Sequence, residues 1–345
     1  MGPVRPLCLV ALTMAVAAVW GAGGCAAAGP PPAAVASTDI VILRGEWIDP
    51  ERDGRAVPYK LYLPAWAGPH PVVIHSHGLG GARETSVFIL EAVAAAGIAV
   101  VAIQHPGSDS SILPTGSLAG VTAADLKMPP GAAAGRFMDL PFVVRQLDVM
   151  TAEGPLKGRL DMSRLGMSGH SFGALSTLVA VGQSLGAPTL AALREPRIDA
   201  AIVYSPNKPR NMEAGPALAG VATPMLHFTG AEDSSPLDLE KTPWERTIPF
   251  QTIGGADQYL IYLTGGDHAV FSGRRLVAGR LKPSDAEHMR LIVDNTVLFW
   301  RAYLLEDQVA MKTLCNLPAR VQTAARGFVK AQRCGPPTPL PTQSE

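Results

Sequence analysis

The sequence predicts an α/β fold in which a mostly parallel central sheet is flanked by helices on both faces. Between about residues 39 and 317, short apolar runs alternate with stretches of helical periodicity. Several of these runs are apolar without a break, as in PVVIHSH and IAVVAIQH. Continuous apolar strands are typical of sheets covered on both faces. Regular alternation of strand and helix favours parallel pairing of the strands.

The predicted elements follow one another along this region. The strands are Tyr59–Leu63, Val72–Ser76, Ala99–Gln104, Arg164–Met167, Ala200–Tyr204, Met225–Thr229 and Tyr259–Leu263. The helices are Glu84–Ala96, Gly135–Ala152, Phe172–Leu185 and Asp285–Glu306. Because prolines border the first strand, we expect antiparallel strands at that edge of the sheet. Residues 108–135 are small, polar and proline-bearing, which predicts an irregular insertion of the kind that often covers a site.

Composition and charge exclude several classes of protein. The chain has 345 residues, with 29 Lys and Arg against 29 Asp and Glu, so its formal net charge is zero. Without a basic run, a nucleic-acid surface is not expected. A hydrophobic content of 47% is too high for an intrinsically disordered protein. No Cys/His cluster has zinc spacing and no glycine loop has the phosphate-binding pattern, so neither a metal nor another cofactor is expected.

The N-terminal segment has the pattern of an export signal. A short cationic head precedes an apolar run from Leu7 to Ala22, which is shorter than the roughly 20 residues that span a bilayer. Ala22-Gly23-Gly24-Cys25 resembles the lipobox of bacterial lipoproteins, with Ala22 where leucine is usual. We expect a signal peptide over 1–24, lipidation at Cys25 and a Pro/Ala-rich tether over 25–38. Ordinary cleavage nearby and an uncleaved anchor are the alternatives. The prediction places the protein in the bacterial cell envelope, held to the membrane by its lipid.

The cysteines support the same compartment. Cys8 leaves with the signal, and Cys315 and Cys334 lie near the C-terminus. An oxidising compartment permits a disulfide between them, and two unpaired thiols are the alternative. We expect a domain over 39–317 and a weakly packed tail over 318–345 that this disulfide ties down.

The most specific motif is Gly169-His170-Ser171-Phe172-Gly173. It lies directly after the strand Arg164–Met167 and directly before a helix. A tight turn between strand and helix pushes a serine hydroxyl out over the sheet edge, and the flanking positions must then be small. The helix N-terminus favours negative charge that develops beside the serine. The motif predicts a nucleophilic Ser171, and an incidental serine in a structural turn is the alternative.

A second loop supplies glycines at the end of another strand. Ser76-His77-Gly78-Leu79-Gly80-Gly81 follows Val72–Ser76, and position 83 is arginine, so the loop does not complete a dinucleotide-binding fingerprint. Acyl transfer needs two preorganised N–H donors for an oxyanion. We expect these from the backbone of Leu79 and Phe172. The candidates for substrate binding are His77, Gly78, Gly80 and His170.

Chain order then selects the base. Where a nucleophilic serine lies on such a turn between strand and helix, the three catalytic residues follow one another along the chain in the order serine, acid, histidine. His268 lies on the loop just after the strand Tyr259–Leu263, where an imidazole can reach the sheet edge. His288 falls about one turn into the last helix, where we expect a solvated or capping role. His268 is therefore the predicted base.

The acid is expected on the loop Gly230-Ala231-Glu232-Asp233, after the strand that ends at Thr229. Asp233 is preferred because its spacing returns the side chain toward the histidine. Glu232 and Asp267 are the alternatives. His268 would take the proton of Ser171, and Asp233 would hold the imidazole in the correct tautomer.

The remaining histidines have less specific settings. His77 and His105 follow strands, where they could line a pocket but more often form local hydrogen bonds. His75 and His227 lie within strands, where a hydrogen-bonded core histidine is more frequent than a ligand.

These motifs together resemble the α/β-hydrolase superfamily, and within it the secreted group similar to dienelactone hydrolases and platelet-activating-factor acetylhydrolases. The matching segments also include His105-Pro106-Gly107-Ser108, Arg136-Phe137-Met138-Asp139-Leu140 and Gly266-Asp267-His268. The resemblance implies hydrolysis of carboxylic esters without a cofactor. The chain departs from dienelactone hydrolases by having Ser171 in place of cysteine. It departs from the acetylhydrolases because Tyr204-Ser205-Pro206-Asn207 lacks the acid that they carry after that strand.

The sequence therefore predicts an exported or membrane-tethered serine hydrolase that cleaves a small-molecule or lipid ester through an acyl-serine intermediate. The same triad acting on a lactone, thioester or amide is the first alternative. A non-catalytic binding protein of the envelope with the same fold is a more distant one.

Overall fold

The computed structural model describes residues 40–113, 128–187, 192–210, 212–234 and 242–340. The expected signal peptide, the lipidation site Cys25 and the tether all lie outside these residues, as does the middle of the insertion predicted over 108–135. Within the described ranges, no helix has both the length and the apolar character to cross a membrane.

One sheet forms the centre of the described structure. Its strands are β1 (Ile40–Asp49), β2 (Arg55–Pro64), β3 (His70–Ser76), β4 (Ala99–Ile103), β5 (Leu160–His170), β6 (Ile198–Tyr204), β7 (Met225–Glu232), β8 (Gln258–Asp267) and β9 (Ala325–Lys330). They lie in the order β1-β2-β4-β3-β5-β6-β7-β8-β9. Strands β3 to β8 pair in parallel, whereas β1, β2 and β9 pair antiparallel at the two edges.

Helices connect and cover the strands. They are α1 (Val87–Ala95), α2 (Ala132–Ala152), α3 (Phe172–Ala180), α4 (Ala214–Leu218), α5 (Ile248–Thr252), α6 (Arg274–Val277), α7 (Asp285–Leu304), α8 (Gln308–Cys315) and α9 (Leu317–Arg320). The four predicted helices correspond to α1, α2, α3 and α7, and the structure adds shorter ones between and after them.

Two apolar cores explain the continuous hydrophobic strands. Successive side chains of a strand point to opposite faces, so Val73 joins the core under α1 and α7 while Val72 joins the core under α2 and α3. Leu90 of α1 and Ile292 of α7 belong to the first core, and Leu178 of α3 belongs to the second. Both faces of the sheet are therefore covered, which confirms the predicted fold class.

The sheet extends beyond its predicted limits at both ends. Each predicted strand is present, and the expected antiparallel edge is confirmed by the pairing of β2 with β1 and β4. Strand β9 was not predicted, and β1 was expected only as an antiparallel edge strand without bounds. Strand β9 lies in the segment 318–345 that we expected to be a weakly packed tail, and it pairs with β8 over its whole length. The described part of that segment belongs to the same compact unit as the sheet.

A disulfide closes this C-terminal region. Cys315 at the end of α8 bonds to Cys334 in the short 3-10 helix Gln332–Cys334 that follows β9. The predicted pairing is confirmed, and the bond joins two elements that are already packed on the sheet.

Candidate active site

Ser171 occupies a strained turn between β5 and α3. Its backbone has φ of +56°, a conformation that residues other than glycine seldom adopt, and its N–H donates to the carbonyl oxygen of Tyr204 at 2.9 Å. A Cβ on Gly169 would overlap the carbonyl of Gly173, and a Cβ on Gly173 would overlap the carbonyl of Ser76. The two glycines are thus required for the close approach that this turn makes.

The structure brings Ser171, His268 and Asp233 together from the ends of three strands. Ser171 follows β5, Asp233 follows β7 and His268 follows β8. His268 Nε2 lies 3.0 Å from Ser171 Oγ, and His268 Nδ1 lies 2.8 Å from Asp233 Oδ1. Asp233 is fully buried, whereas the side chain of His268 is 18% exposed. The geometry is that of a nucleophile, a base and an orienting acid.

Ser205 adds a fourth group to this arrangement. It directly follows β6 with φ of +56° and is fully buried. Its Oγ donates to Asp233 Oδ1 at 2.8 Å and lies 2.8 Å from His268 Nδ1. Thr229 Oγ1 donates to the other carboxylate oxygen of Asp233, also at 2.8 Å. Both oxygens of Asp233 therefore accept hydrogen bonds in addition to the one from the imidazole.

Arg246 lies beneath the carboxylate and links two of the strand-end loops. Its Nε donates to the carbonyl oxygen of Asp233 at 2.7 Å and lies 3.2 Å from Asp233 Oδ1. Its Nη1 donates to the carbonyl oxygen of Ser205 at 3.2 Å. Burial alone would raise the pKa of Asp233, but the hydrogen bond from His268 and the charge of Arg246 outweigh it, so that pKa lies below its usual value. Asp233 is therefore held in its ionised form.

Two of the predicted substrate-binding residues contact backbone instead. His170 Nε2 donates to the carbonyl oxygen of His268 at 3.1 Å, and His77 Nδ1 donates to the carbonyl oxygen of Gly78 at 2.7 Å. His77 Nε2 accepts the backbone N–H of His105 at 3.1 Å. Burial holds the pKa of both His77 and His170 well below 6.5, so each ring is neutral. They hold the loops around the site in place rather than facing its cavity.

A buried arginine fixes the loop that carries Leu79. Arg136 on α2 donates to Ser76 Oγ at 2.8 Å, to the carbonyl oxygen of His77 and to Ser176 Oγ at 2.9 Å. Its guanidinium lies 4.5 Å from the ring centroid of Phe172. Burial lowers the pKa of Arg136 to about 9, which leaves it charged at neutral pH. One cation thus contacts both segments that were predicted to supply oxyanion N–H groups.

A cavity of about 420 Å³ opens beside Ser171. Leu79 and Phe172 both line it, while the neighbouring amides of Gly80 and Gly81 donate to Ser108 and Gly78. Among the described residues, the predicted candidates His77, Gly78, Gly80 and His170 do not line this cavity. Its other apolar lining residues are Met128, Leu175, Leu185, Pro209 and Met212, and its polar ones include Gln183, Asn207, Lys208 and Arg210.

The alternative acids and the alternative base have other roles. Asp267 accepts hydrogen bonds from Arg275 at 3.0 Å and pairs with Lys282 at 2.7 Å, and Glu232 is exposed. His288 is 2% exposed, and its Nε2 donates to the carbonyl oxygen of Thr264 at 2.9 Å. Of the solvated or capping role expected for His288, the solvated alternative was wrong, because the residue is buried and bonds to β8 from α7.

Within the described parts of the chain, no group of His, Cys, Asp or Glu side chains could hold a metal ion. No protein-family model matches the chain, and no curated protein matches its sequence. Among solved structures, the chain is similar to a ferulic acid esterase from Streptomyces cinnamoneus, with 18% sequence identity and a TM-score of 0.55. The match covers 81% of this chain and 93% of the esterase.

The chain has an α/β-hydrolase fold. At this level of identity the similarity shows the fold alone, and 1004 chains of solved structures are similar to it, so the fold by itself selects no substrate. In this fold, Ser171, Asp233 and His268 directly follow β5, β7 and β8 at one edge of the sheet. Parallel strands place their carboxyl ends at the same edge, which is why residues far apart in sequence meet there.

Sequence reasoning missed Ser205 and Arg246. Ser205 directly follows β6, where the sequence has no carboxylate, and the adjacency of β6 and β7 in the sheet is the signal for its contact with Asp233. Arg246 gave no signal, since it lies in the 3-10 helix Pro243–Thr247, outside every predicted element.

Proposed function

We propose that this protein is a serine hydrolase that cleaves carboxylic esters through an acyl-Ser171 intermediate. The observation that carries the proposal is the chain of contacts from Ser171 Oγ to His268 Nε2 at 3.0 Å and from His268 Nδ1 to Asp233 Oδ1 at 2.8 Å. Ser205 and Arg246 hold Asp233 in position. A nucleophile, a base and an orienting group within hydrogen-bond distance are what acyl transfer requires.

In the first half of the reaction, Ser171 Oγ attacks the carbonyl carbon of the ester while its proton passes to His268 Nε2. The carbonyl oxygen becomes an oxyanion, and the backbone N–H groups of Phe172 and Leu79 are proposed to stabilise it. When the intermediate collapses, the carbon–oxygen bond to the alcohol breaks. His268 Nε2 gives its proton to the departing alkoxide, and the acyl group remains on Ser171.

The second half repeats these steps with water. His268 Nε2 takes a proton from water as the oxygen attacks the acyl carbon, and the proton then returns to Ser171 Oγ as the acid leaves. Asp233 stays ionised throughout and stabilises the imidazolium that forms twice in each cycle. The low pKa of Asp233 suits this role because a protonated acid could not stabilise the positive charge.

The reaction class is supported by the name of the similar solved structure, a ferulic acid esterase. From that protein we bring over only the hydrolysis of a carboxylic ester. From the order of the motifs and the presence of Ser171 in the turn, we propose that the chain is related to the group that is similar to dienelactone hydrolases and platelet-activating-factor acetylhydrolases. Small-molecule or lipid esters are the proposed substrates.

The test is hydrolysis of 4-nitrophenyl butyrate by wild type, Ser171→Ala and Ser284→Ala. We expect Ser171→Ala to lose about 10⁴-fold in kcat/KM, as in comparable triads. Ser284 is exposed and makes no capping hydrogen bond at the start of α7, so its variant should match wild type. Equal turnover by Ser171→Ala and wild type would refute the proposal.

We also propose that the protein is exported and anchored in the bacterial cell envelope by a lipid on Cys25. The N-terminal sequence pattern supports this location, and the disulfide between Cys315 and Cys334 is consistent with an oxidising compartment. Metabolic labelling with a palmitate analogue tests the anchor. Wild type should incorporate the label, and Cys25→Ser should not. Equal labelling of both would refute lipidation at Cys25.

A further inference from the structure

An exposed apolar segment lies at the sheet edge that carries the candidate triad. This rim segment, residues 274–284, comprises α6 and the turn that leads to α7, and every residue from 276 to 284 is exposed. Leu276, Val277 and Leu281 are 44%, 83% and 43% exposed, and Val277 is the most exposed large apolar residue in the described part of the chain. Single exposed apolar residues are ordinary, but three on one short segment indicate an interaction surface.

Two arginines fix the rim segment beside the active site. Arg274 donates to the carbonyl oxygen of Gly80, in the loop that was predicted to supply an oxyanion N–H. Arg275 donates to Asp267 at 3.0 Å, and Asp267 directly precedes the candidate base His268. The apolar side chains therefore occupy a fixed position next to the candidate triad.

The backbone of the rim segment is suited to a weakly hydrated environment. The N–H groups of residues 277–280 all donate to carbonyl oxygens of residues 273–276. Gly279, with φ of +64°, ends α6, and the N–H of Arg280 closes the turn on the carbonyl oxygen of Arg275 at 2.9 Å. Because unpaired backbone groups are what makes a loop costly to remove from water, this turn can enter the headgroup layer of a membrane at little cost.

We propose that the rim segment docks on an anionic lipid surface and inserts its three apolar side chains among the headgroups. Arg280 lies between these side chains in the sequence, is exposed, and has no carboxylate within ion-pair distance among the described residues. Lys282 is 45% exposed and pairs with Asp267 at 2.7 Å, so the unneutralised charge is that of Arg280. Burial of apolar area and attraction of a cation to anionic headgroups both strengthen binding at a lipid surface.

The size of the patch favours a lipid surface over a second protein. A stable protein–protein interface uses roughly 20–30 residues on each side. The apolar part of the rim segment consists of three side chains, which suffice for insertion into a lipid layer when a positive charge lies beside them. Docking brings the triad to the membrane surface and favours esters in the lipid layer as substrates, a consequence that rests on the proposed function.

The experiment introduces a tryptophan into the rim segment of the full-length chain. Val277→Trp is compared with Val309→Trp, whose site on α8 is 73% exposed, and wild type supplies the emission of the five native tryptophans for subtraction. The vesicles contain phosphatidylglycerol and phosphatidylcholine with brominated acyl chains, which quench an indole that reaches them. Because both variants have the same N-terminus, attachment through that end affects them equally.

We expect the vesicles to quench the added emission of Val277→Trp and to leave that of Val309→Trp unchanged. Equal quenching of both variants, or of neither, overturns the proposal. An emission of Val277→Trp that shifts to shorter wavelength with rising protein concentration in the absence of vesicles indicates that a second copy covers the patch, and this also overturns the proposal.

Further substitutions in Val277→Trp test the roles of charge and apolar burial. Vesicles of phosphatidylcholine alone should lower the ratio of quenched to unquenched emission severalfold. Arg280→Ser and Leu281→Ser should each lower that ratio by about fivefold. Arg194→Ser is the matched control and should leave the ratio unchanged, since Arg194 is exposed just before β6, at the opposite edge of the sheet. A ratio that is equal in the two kinds of vesicle, or unchanged in Arg280→Ser, overturns the proposal.

Failure of this inference is separate from failure of the proposed function. Ser171→Ala combined with Val277→Trp should be quenched as strongly as Val277→Trp alone, because docking needs no reaction. If ester hydrolysis does not depend on Ser171 and the quenching persists, the proposed function is wrong and the docking stands. If hydrolysis depends on Ser171 and the quenching is absent, the docking is wrong and the proposed function stands.

Discussion

Ser205→Ala tests whether the triad depends on a fourth hydrogen-bonding group. The Ser205 hydroxyl donates to Asp233 Oδ1 at 2.8 Å and lies 2.8 Å from His268 Nδ1, in a fully buried position. Alanine removes this hydroxyl and leaves the backbone in place. The carboxylate then keeps its contacts with His268, Thr229 and Arg246 but loses one of the groups that fix its orientation toward the imidazole.

The size of the effect follows from the kind of bond that is lost. A hydrogen bond to a charged group contributes about 1.5–3 kcal/mol. If that energy were expressed entirely in the transition state, the rate would fall by about 10- to 100-fold. Because Asp233 retains its other donors, we expect the lower end, a fall in kcat of about tenfold. KM should stay within about twofold, since Ser205 does not line the cavity among the described residues.

The assay is steady-state hydrolysis of 4-nitrophenyl butyrate as a function of pH, with unfolding in urea as a check on stability. Ser234→Ala is the matched control, because Ser234 is exposed and directly follows Asp233 in the chain. If Ser205 positions Asp233, the low-pH limb of the plot of kcat/KM against pH should shift in Ser205→Ala and should not shift in Ser234→Ala. An unchanged kcat and an unchanged profile in folded Ser205→Ala would refute the reasoning.

Three further predictions concern stability. Asp139 is fully buried and accepts hydrogen bonds from Arg52, Arg55 and His105, so Asp139→Asn should lower the free energy of unfolding by about 3–5 kcal/mol. Asp148 forms a half-exposed surface ion pair, so the control Asp148→Asn should lower it by under about 1 kcal/mol. Equal urea midpoints for the two variants would contradict this. Reduction of the Cys315–Cys334 disulfide should cost about 3 kcal/mol in the same assay, and an unchanged midpoint in reductant would argue against it. Burial lowers the pKa of His75 to about 3 and the pKa of His105 and His227 to about 4, from 6.5. The unfolded chain binds these protons at higher pH than the folded protein does. Each histidine should therefore lower the free energy of unfolding by up to about 1.4 kcal/mol per pH unit as pH falls from 6.5 toward 4. A free energy of unfolding that stays constant between pH 7 and pH 5 would contradict that sign.

The sequence was sufficient for the central sheet because its strands are buried on both faces. A run such as Val72–Ser76 is apolar at nearly every position, which identifies it without knowledge of its neighbours. The bounds of the edge strand β1 could not be predicted because most of its residues are at least partly exposed. Strand β9 contains Arg326 and Gly327 within its few residues, and only its pairing with β8 makes it a strand.

The candidate triad could be predicted because chain order restricts the choice of acid and base. The position of Asp233 in its loop favoured it over Glu232 as the candidate acid, and the structure places Asp233 Oδ1 2.8 Å from His268 Nδ1. The supporting residues could not be predicted in the same way. The contact between Ser205 and Asp233 depends on the adjacency of β6 and β7 in the sheet. The contact between Arg246 and Asp233 depends on a turn whose sequence has no periodicity.

Reaction with a fluorophosphonate probe tests the central claim most directly, because the probe forms a bond to a serine only where an activated hydroxyl and an oxyanion site coincide. The folded wild-type protein should carry the adduct on Ser171, as located by mass spectrometry of its peptides. His268→Gln should slow the labelling by several orders of magnitude. Labelling that is absent from Ser171 in folded protein, or that proceeds as fast in His268→Gln as in wild type, would contradict the account.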